Sequence, residues 1–207
     1  VKVVKHGNRA ASSKSGAADL LEALGVNISL DGVGVAETFK QLGIGFCFAP
    51  VFHPAMRFAA PARKELATPT VFNILGPLAN PAKPQAAAIG VANERMHLVM
   101  AQVLGDRGVD GFVFRGDDGL DEISLSTTST VYQINKGEIS KEIFDPSELG
   151  LERIGLDELR GGTPSENADI TRAIFAGRGG PYRQAVLLNA AVAIAAFKAD
   201  FDLPLQT

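Results

Sequence analysis

The chain has 207 residues, a net charge of −3 and one cysteine, Cys47. That length can bury one sizeable core or two small ones. The acidic balance excludes a general nucleic-acid or membrane-surface binder, and a lone cysteine excludes an internal disulfide framework and fits a reducing compartment. Val1, Val3 and Val4 form a short apolar run that predicts the end of a buried strand. Opening inside a strand, the chain is expected to be a fragment or processed form with an upstream part. Ala17, Leu20, Leu21 and Leu24 recur at helical spacing before Gly25, so a strand joins a helix through a loop rich in cations and hydroxyls. A helix start offers free N–H groups and a positive dipole end, a natural seat for an anion.

A second helix is predicted from Gly32 to Leu42, and IGFCFAP, residues 44–50, predicts a buried strand with Cys47 as a small buried thiol. HPAMRFAAPARKELA reads as a helix broken or restarted near Pro61, and TPTVFNILGPLANPAKP as a loop with a short helical turn. AAAIGVA predicts a strand, NERMHLVMAQVLGDRG a helix capped by Asn93 with His97 partly exposed, and VDGFVF another strand. An acidic, then hydroxyl-rich loop follows, RGDDGLDEISLSTTST. A β-hairpin near 130–144 turns at Asn135-Lys136-Gly137. A capped helix over TPSENADITRAIFAG and a buried apolar helix near 183–198 close the pattern. The apolar run 185–197 is too short to cross a bilayer and carries Asn189. Alternating strands and helices predict one α/β domain over 1–207, with a mostly parallel sheet and helices on both faces.

In such a sheet ligands bind at the carboxyl ends of the strands, which nominates loops 5–16, 50–80 and 115–126. Lys5, His6, Gly7, Asn8 and Arg9, with Ser12, Ser13 and Ser15, read either as a phosphate cradle or as an exposed loop capped by Ser15. Asp117, Asp118, Asp121 and Glu122 read either as a solvated acidic turn or as a hard-cation site. Mg²⁺ would suit so few carboxylates, because water and phosphates complete its shell. An acidic group near a phosphate seat calls for a cation between them. Arg63 reads as a surface arginine or as a planar fork for a carboxylate.

Three stretches then carry a resemblance: KHGNRAASSKSGAADLLEALG, VFNILGPLANP and DGLDEIS. In this order they resemble the anthranilate phosphoribosyltransferase family of tryptophan biosynthesis, and the likeness continues through ENADITRAIFAG and AVLLNAAVAIAAF. The resemblance implies the large α/β domain of the nucleoside phosphorylase and phosphoribosyltransferase type. It implies transfer of a phosphoribosyl group from 5-phosphoribosyl 1-diphosphate to the amine of anthranilate, with release of diphosphate. By this likeness Lys5, His6, Gly7, Asn8, Arg9, Ala10, Ala11, Ser12, Ser13 and Ala17 line the phosphoribosyl diphosphate site. Asn8, Arg63, Gly76 and Pro77 meet anthranilate, and Asp121 and Glu122 hold Mg²⁺. It also implies small-molecule substrates, a cytoplasmic setting without nucleic acid or membrane as partner, and a homodimer at full length.

The family's G-T-G-G-D loop, its N-x-S-T segment and its N-terminal helical domain do not occur in these 207 residues, and the chain stops before the family's usual C-terminal helix. The chain by itself is therefore expected not to turn over. Arg115 stands where relatives commonly carry His. A pyrimidine nucleoside phosphorylase shares Lys-His-Gly but leaves DGLDE unexplained, and a nucleic-acid-binding relative should be basic.

Overall fold

A computed structural model describes residues 1–10, 13–66, 68, 70–199 and 201. Their Cα atoms gather into two compact units. One comprises residues 1–83 and 161–173, the other residues 84–160 and 174 onward.

In the first unit, β1 (Val3–Gly7) leads through the cationic loop to α1 (Ala17–Ala23). Asp31 caps α2 (Gly32–Leu42) by accepting from the Gly34 N–H. β2 (Ile44–Phe48) then pairs with β1 in parallel, Val3 opposite Ile44 and Gly7 opposite Phe48. Ala18, Ile28 and Phe48 form a small core with Leu21 and Phe46 around it. Val3 is 44% exposed, where the sequence predicts a buried strand end, because among the described residues β1 has a neighbour on one side alone. The proline-rich stretch breaks up as expected. A helical turn α3 (Ala49–Phe52) and a 3₁₀ turn Pro54–Phe58 precede α4 (Ala60–Leu66). A 3₁₀ turn Val71–Asn73 precedes α5 (Leu75–Leu78).

The second unit opens with β3 (Ala86–Gly90), α6 (Glu94–Asp106) and β4 (Asp110–Gly116). β3 and β4 are parallel, as a βαβ crossover requires. The Asn93 side chain accepts from the Met96 N–H at 3.2 Å and starts α6. β5 (Ser129–Asn135) and β6 (Glu138–Phe144) form the expected hairpin, with Lys136 and Gly137 both at positive φ in its turn. β4 and β5 are antiparallel, so this four-stranded sheet, ordered β3-β4-β5-β6, is mixed. α7 (Pro164–Phe175), which belongs to the first unit as far as residue 173, begins at a capping box: Glu166 accepts from the Thr163 N–H and the Thr163 hydroxyl accepts from the Glu166 N–H.

α8 (Pro181–Lys198) lays Leu188, Val192, Ala195 and Ala196 into the core of Phe112, Phe114, Ile123, Leu125, Val131 and Phe144. Its other faces are apolar too, and Val186, Leu187, Ile194 and Phe197 are exposed among the described residues, where a buried helix was expected. His97 is also corrected: it is 3% exposed, its Nε2 bonds the Val113 carbonyl at 2.9 Å, and its ring meets Tyr132 edge-on. Burial holds its pKa below the ordinary value, so the ring packs as a neutral one. Cys47 is buried, and burial raises its thiol pKa. No helix among the described residues is long and apolar enough to cross a membrane.

Candidate active site

The loop after β1 closes on itself at a neck. The Ala18 N–H donates to the Asn8 carbonyl at 3.2 Å. Asp19 Oδ2 accepts from the N–H groups of Ala10 and Gly16, both at 2.9 Å, and Oδ1 accepts from Arg9 Nη1 at 2.9 Å. A side chain at Gly16 would press on the Arg9 carbonyl carbon at 2.7 Å, so glycine alone permits this approach. The Ala10 and Gly16 amides, with Arg9 added, pull the Asp19 pKa down to about 2. The Arg9 fork also spans Glu22, Nη1 to Oε2 at 2.8 Å and Nη2 to Oε1 at 3.0 Å, and lies over the Phe48 ring. The helix-start anion seat expected from the sequence is thus filled by Asp19 from within the chain. Asp19 was not singled out in the sequence. Its signal was an acid three residues after Gly16, the spacing of a capping box. Lys5 is exposed on β1, Ala17 approaches Gly7, and Ser13 donates to the Ser15 carbonyl. Ala11 and Ser12 lie outside the described residues.

The segment 50–80 folds back onto this loop. His6 Nδ1 and the Gly76 carbonyl are 2.9 Å apart, and Asn80 Nδ2 donates to the Val4 carbonyl at 3.1 Å. The carbonyl assigns the proton to Nδ1 and leaves His6 Nε2 as an acceptor. Burial keeps His6 below its ordinary pKa, the Gly76 bond opposing and His53 assisting. The His6 and His53 rings meet edge-on at 4.9 Å, and the Nε2 atoms of both are buried with no hydrogen-bond partner among the described residues. Arg63 stacks over Phe72 and reaches Asn73 Oδ1 at 3.4 Å. A side chain at Gly76 would meet open space, so the turn before Pro77 presents bare backbone. His6, Arg63, Gly76 and Pro77 therefore belong to one joined pair of loops, linked through His53, Asn73 and Asn80 of the nominated 50–80 segment.

The acidic loop belongs to the second unit, and its four carboxylates divide into two pairs. Asp117 accepts from the hydroxyls of Thr128 and Thr130, and Asp118 from those of Ser124 and Ser126 and from the Leu120 N–H. Burial pushes the Asp118 pKa up, but these donors outweigh it and keep the carboxyl below its usual range. These two acids fold the loop. Asp121 and Glu122 are exposed, and the Asp121 backbone rests directly on Gly90 at the carboxyl end of β3. No group of three or more His, Cys, Asp or Glu side chains suited to a metal occurs among the described residues. Two exposed carboxylates fit Mg²⁺, which keeps several waters and takes one or two carboxylates with substrate phosphates.

These features define an α/β domain with candidate ligand loops in each unit, and comparison with known proteins gives its family. Residues 1–203 match the model of the glycosyl transferase family, a/b domain, and the chain belongs to that family. Within it the chain is similar to the anthranilate phosphoribosyltransferase of Rhodococcus opacus (strain B4), 59% identical over 198 residues, which are 96% of this chain and 55% of that protein. Among solved structures it resembles anthranilate phosphoribosyltransferase from Thermus thermophilus, with TM-score 0.90 and 45% identity over 96% of this chain and 59% of that one. It also resembles the Saccharomyces cerevisiae enzyme in complex with PRPP and Mg, with TM-score 0.88 and 31% identity over 96% of this chain and 56% of that one. The chain spans little more than half the length of these relatives.

Proposed function

We propose that the chain serves an anthranilate phosphoribosyltransferase, moving the phosphoribosyl group of 5-phosphoribosyl 1-diphosphate to the amine of anthranilate with release of diphosphate. The His6–Gly76 bond carries this reading, because it joins the Lys-His-Gly-Asn loop to the Gly76-Pro77 turn in one unit. The loop from Lys5 to Ser13 takes the phosphoribosyl diphosphate, supported by the yeast relative's complex with PRPP and Mg. Asp121 and Glu122 hold Mg²⁺, which when bound offsets the charge of the departing diphosphate. Asn8, Arg63, Gly76 and Pro77 receive anthranilate, with the Arg63 fork toward its carboxylate.

The acceptor amine is an uncharged nucleophile, so holding it in line matters more than removing its proton. His6 fits an orienting role: its Nδ1 proton is committed to Gly76 and its ring is kept neutral. A cytoplasmic setting is part of this reading, supported by the single, free and buried Cys47. The 207 residues by themselves bind ligand weakly and do not turn over, because the family's diphosphate loop is not among them.

Steady-state kinetics of Arg63→Ala, in a protein of the relatives' full length carrying this sequence, test the acceptor site. The KM for anthranilate is expected to rise about tenfold or more, the loss of one charge-assisted pair. The KM for phosphoribosyl diphosphate should stay within about twofold. Equal increases for both substrates would make Arg63 a general structural residue and remove it from the anthranilate site.

A further inference from the structure

The neck of the 8–16 loop is held by a device that the reaction above does not use. Asp19 gathers three donors from two chain segments, the amides of Ala10 and Gly16 and the Arg9 guanidinium. Glu22 takes the Arg9 fork in two-pronged fashion, and the Phe48 ring of the small core lies beneath it. Arg9 therefore has acids on both its terminal nitrogens and an aromatic face below. The Asp19 side chain is the most enclosed of the three charged partners, 16% exposed against 44% for Arg9 and 54% for Glu22. Asp19 and Glu22, one turn apart on α1, take three of the five N–H donors of Arg9, which leaves a phosphate only those on Nε and one on Nη2. A phosphate could engage the Ala10 and Gly16 amides only by expelling Asp19.

We propose that Asp19 is the positioning residue of this loop, and that Arg9 serves it as a clamp, with Glu22, rather than meeting a phosphate of the ligand. The inference rests on the substrate reading above and reassigns one residue within it. Closing the neck fixes where the Lys5–Asn8 and Ser13–Ser15 segments stand before any ligand arrives. The order is supplied in advance, and the ligand meets these two segments already placed. Arg9 and Asp19 thus act on binding through one shared element, so their losses overlap.

The test uses a protein of the relatives' full length carrying this sequence, with Asp19→Ala, Arg9→Gln, Arg9→Lys and the Arg9→Gln/Asp19→Ala double variant. Hydrogen exchange without ligand reads the neck itself. Asp19→Ala should speed exchange at the Ala10 and Gly16 amides about tenfold or more. Calorimetric titration with phosphoribosyl diphosphate and Mg²⁺ reads the consequence. Asp19→Ala and Arg9→Gln should each weaken binding about tenfold, and the double variant should bind no more weakly than Asp19→Ala alone. Arg9→Lys keeps a charge for a phosphate but loses the two-pronged contact with Glu22, so it should weaken binding as Arg9→Gln does.

Unchanged exchange in Asp19→Ala would overturn the clamp. So would an Arg9→Gln variant that loses affinity while exchange at the neck is unaltered, with losses that add fully in the double variant. Arg9 would then touch the ligand directly. If the wild-type full-length protein fails to bind the ligand, the substrate reading falls, and exchange at Ala10 and Gly16 alone supports or overturns the clamp.

Discussion

Gly90→Ala is expected to cost the second unit about 3 kcal/mol, the upper part of the range for overpacked sites. The added methyl would land on the carbonyl group of Asp121, which is backbone and cannot swing aside like the end of a long side chain. Gly90 ends β3, paired with Phe114 of β4, so the strand cannot retreat without breaking register. The loop must move instead. Asp118, bound to Ser124 and Ser126, and the Gly116 N–H, bound to the Leu120 carbonyl, resist that movement. The same substitution at Gly179 meets open space and should have little effect. Thermal unfolding checks the pair: Gly90→Ala should lower the Tm by roughly 10 °C, and Gly179→Ala should leave it nearly unchanged. A Gly90→Ala protein with normal Tm would mean that Asp121 is not held against the strand end.

Replacing both Asp121 and Glu122, as Asp121→Asn/Glu122→Gln, should weaken Mg²⁺-dependent binding of phosphoribosyl diphosphate about 100-fold or more. Each charge-assisted contact contributes roughly 1.5–3 kcal/mol, and two are removed together. Both side chains are exposed, and Asp117 and Asp118 take hydroxyl and amide donors of their own loop. The double variant should lose its response to Mg²⁺. Asp118→Asn should instead loosen the loop through lost bonds from Ser124 and Ser126 and lower the Tm. Calorimetric titrations with and without Mg²⁺ separate the two outcomes. An unchanged Mg²⁺ dependence in the double variant would remove Asp121 and Glu122 as the metal site.

Elements with chemistry at their ends were legible from residue order alone. Asn93 starts α6, Thr163 and Glu166 box the start of α7, and Lys136-Gly137 turns the hairpin. What the sequence hid depends on which surface another segment covers. His97 sits in an amphipathic pattern that leaves its side open. Only the position of Val113 on β4 makes it a buried, bonded ring. α8 is apolar all round, so periodicity could not tell the face on β3 and β4 from the face carrying Val186 and Phe197. At the site, the KHGN stretch and Arg63 were legible as chemistry through family likeness. Their joining through Gly76 and Asn73 was not, because it spans ten to seventy residues of chain. Residue type alone did not separate the four acids of the 117–122 loop, and family likeness pointed to Asp121 and Glu122. The hydroxyls of Ser124, Ser126, Thr128 and Thr130 divide them.

The central claim is the pairing of donor and acceptor, and the most direct measurement is product stoichiometry in a protein of the relatives' full length carrying this sequence. Anthranilate, phosphoribosyl diphosphate and Mg²⁺ are supplied together, and anthranilate consumption and diphosphate release are followed in the same sample. One diphosphate is expected for each anthranilate consumed, with neither change when Mg²⁺ is withheld. Diphosphate released while anthranilate persists, or cleavage of pyrimidine nucleosides by phosphate in place of this transfer, would contradict it.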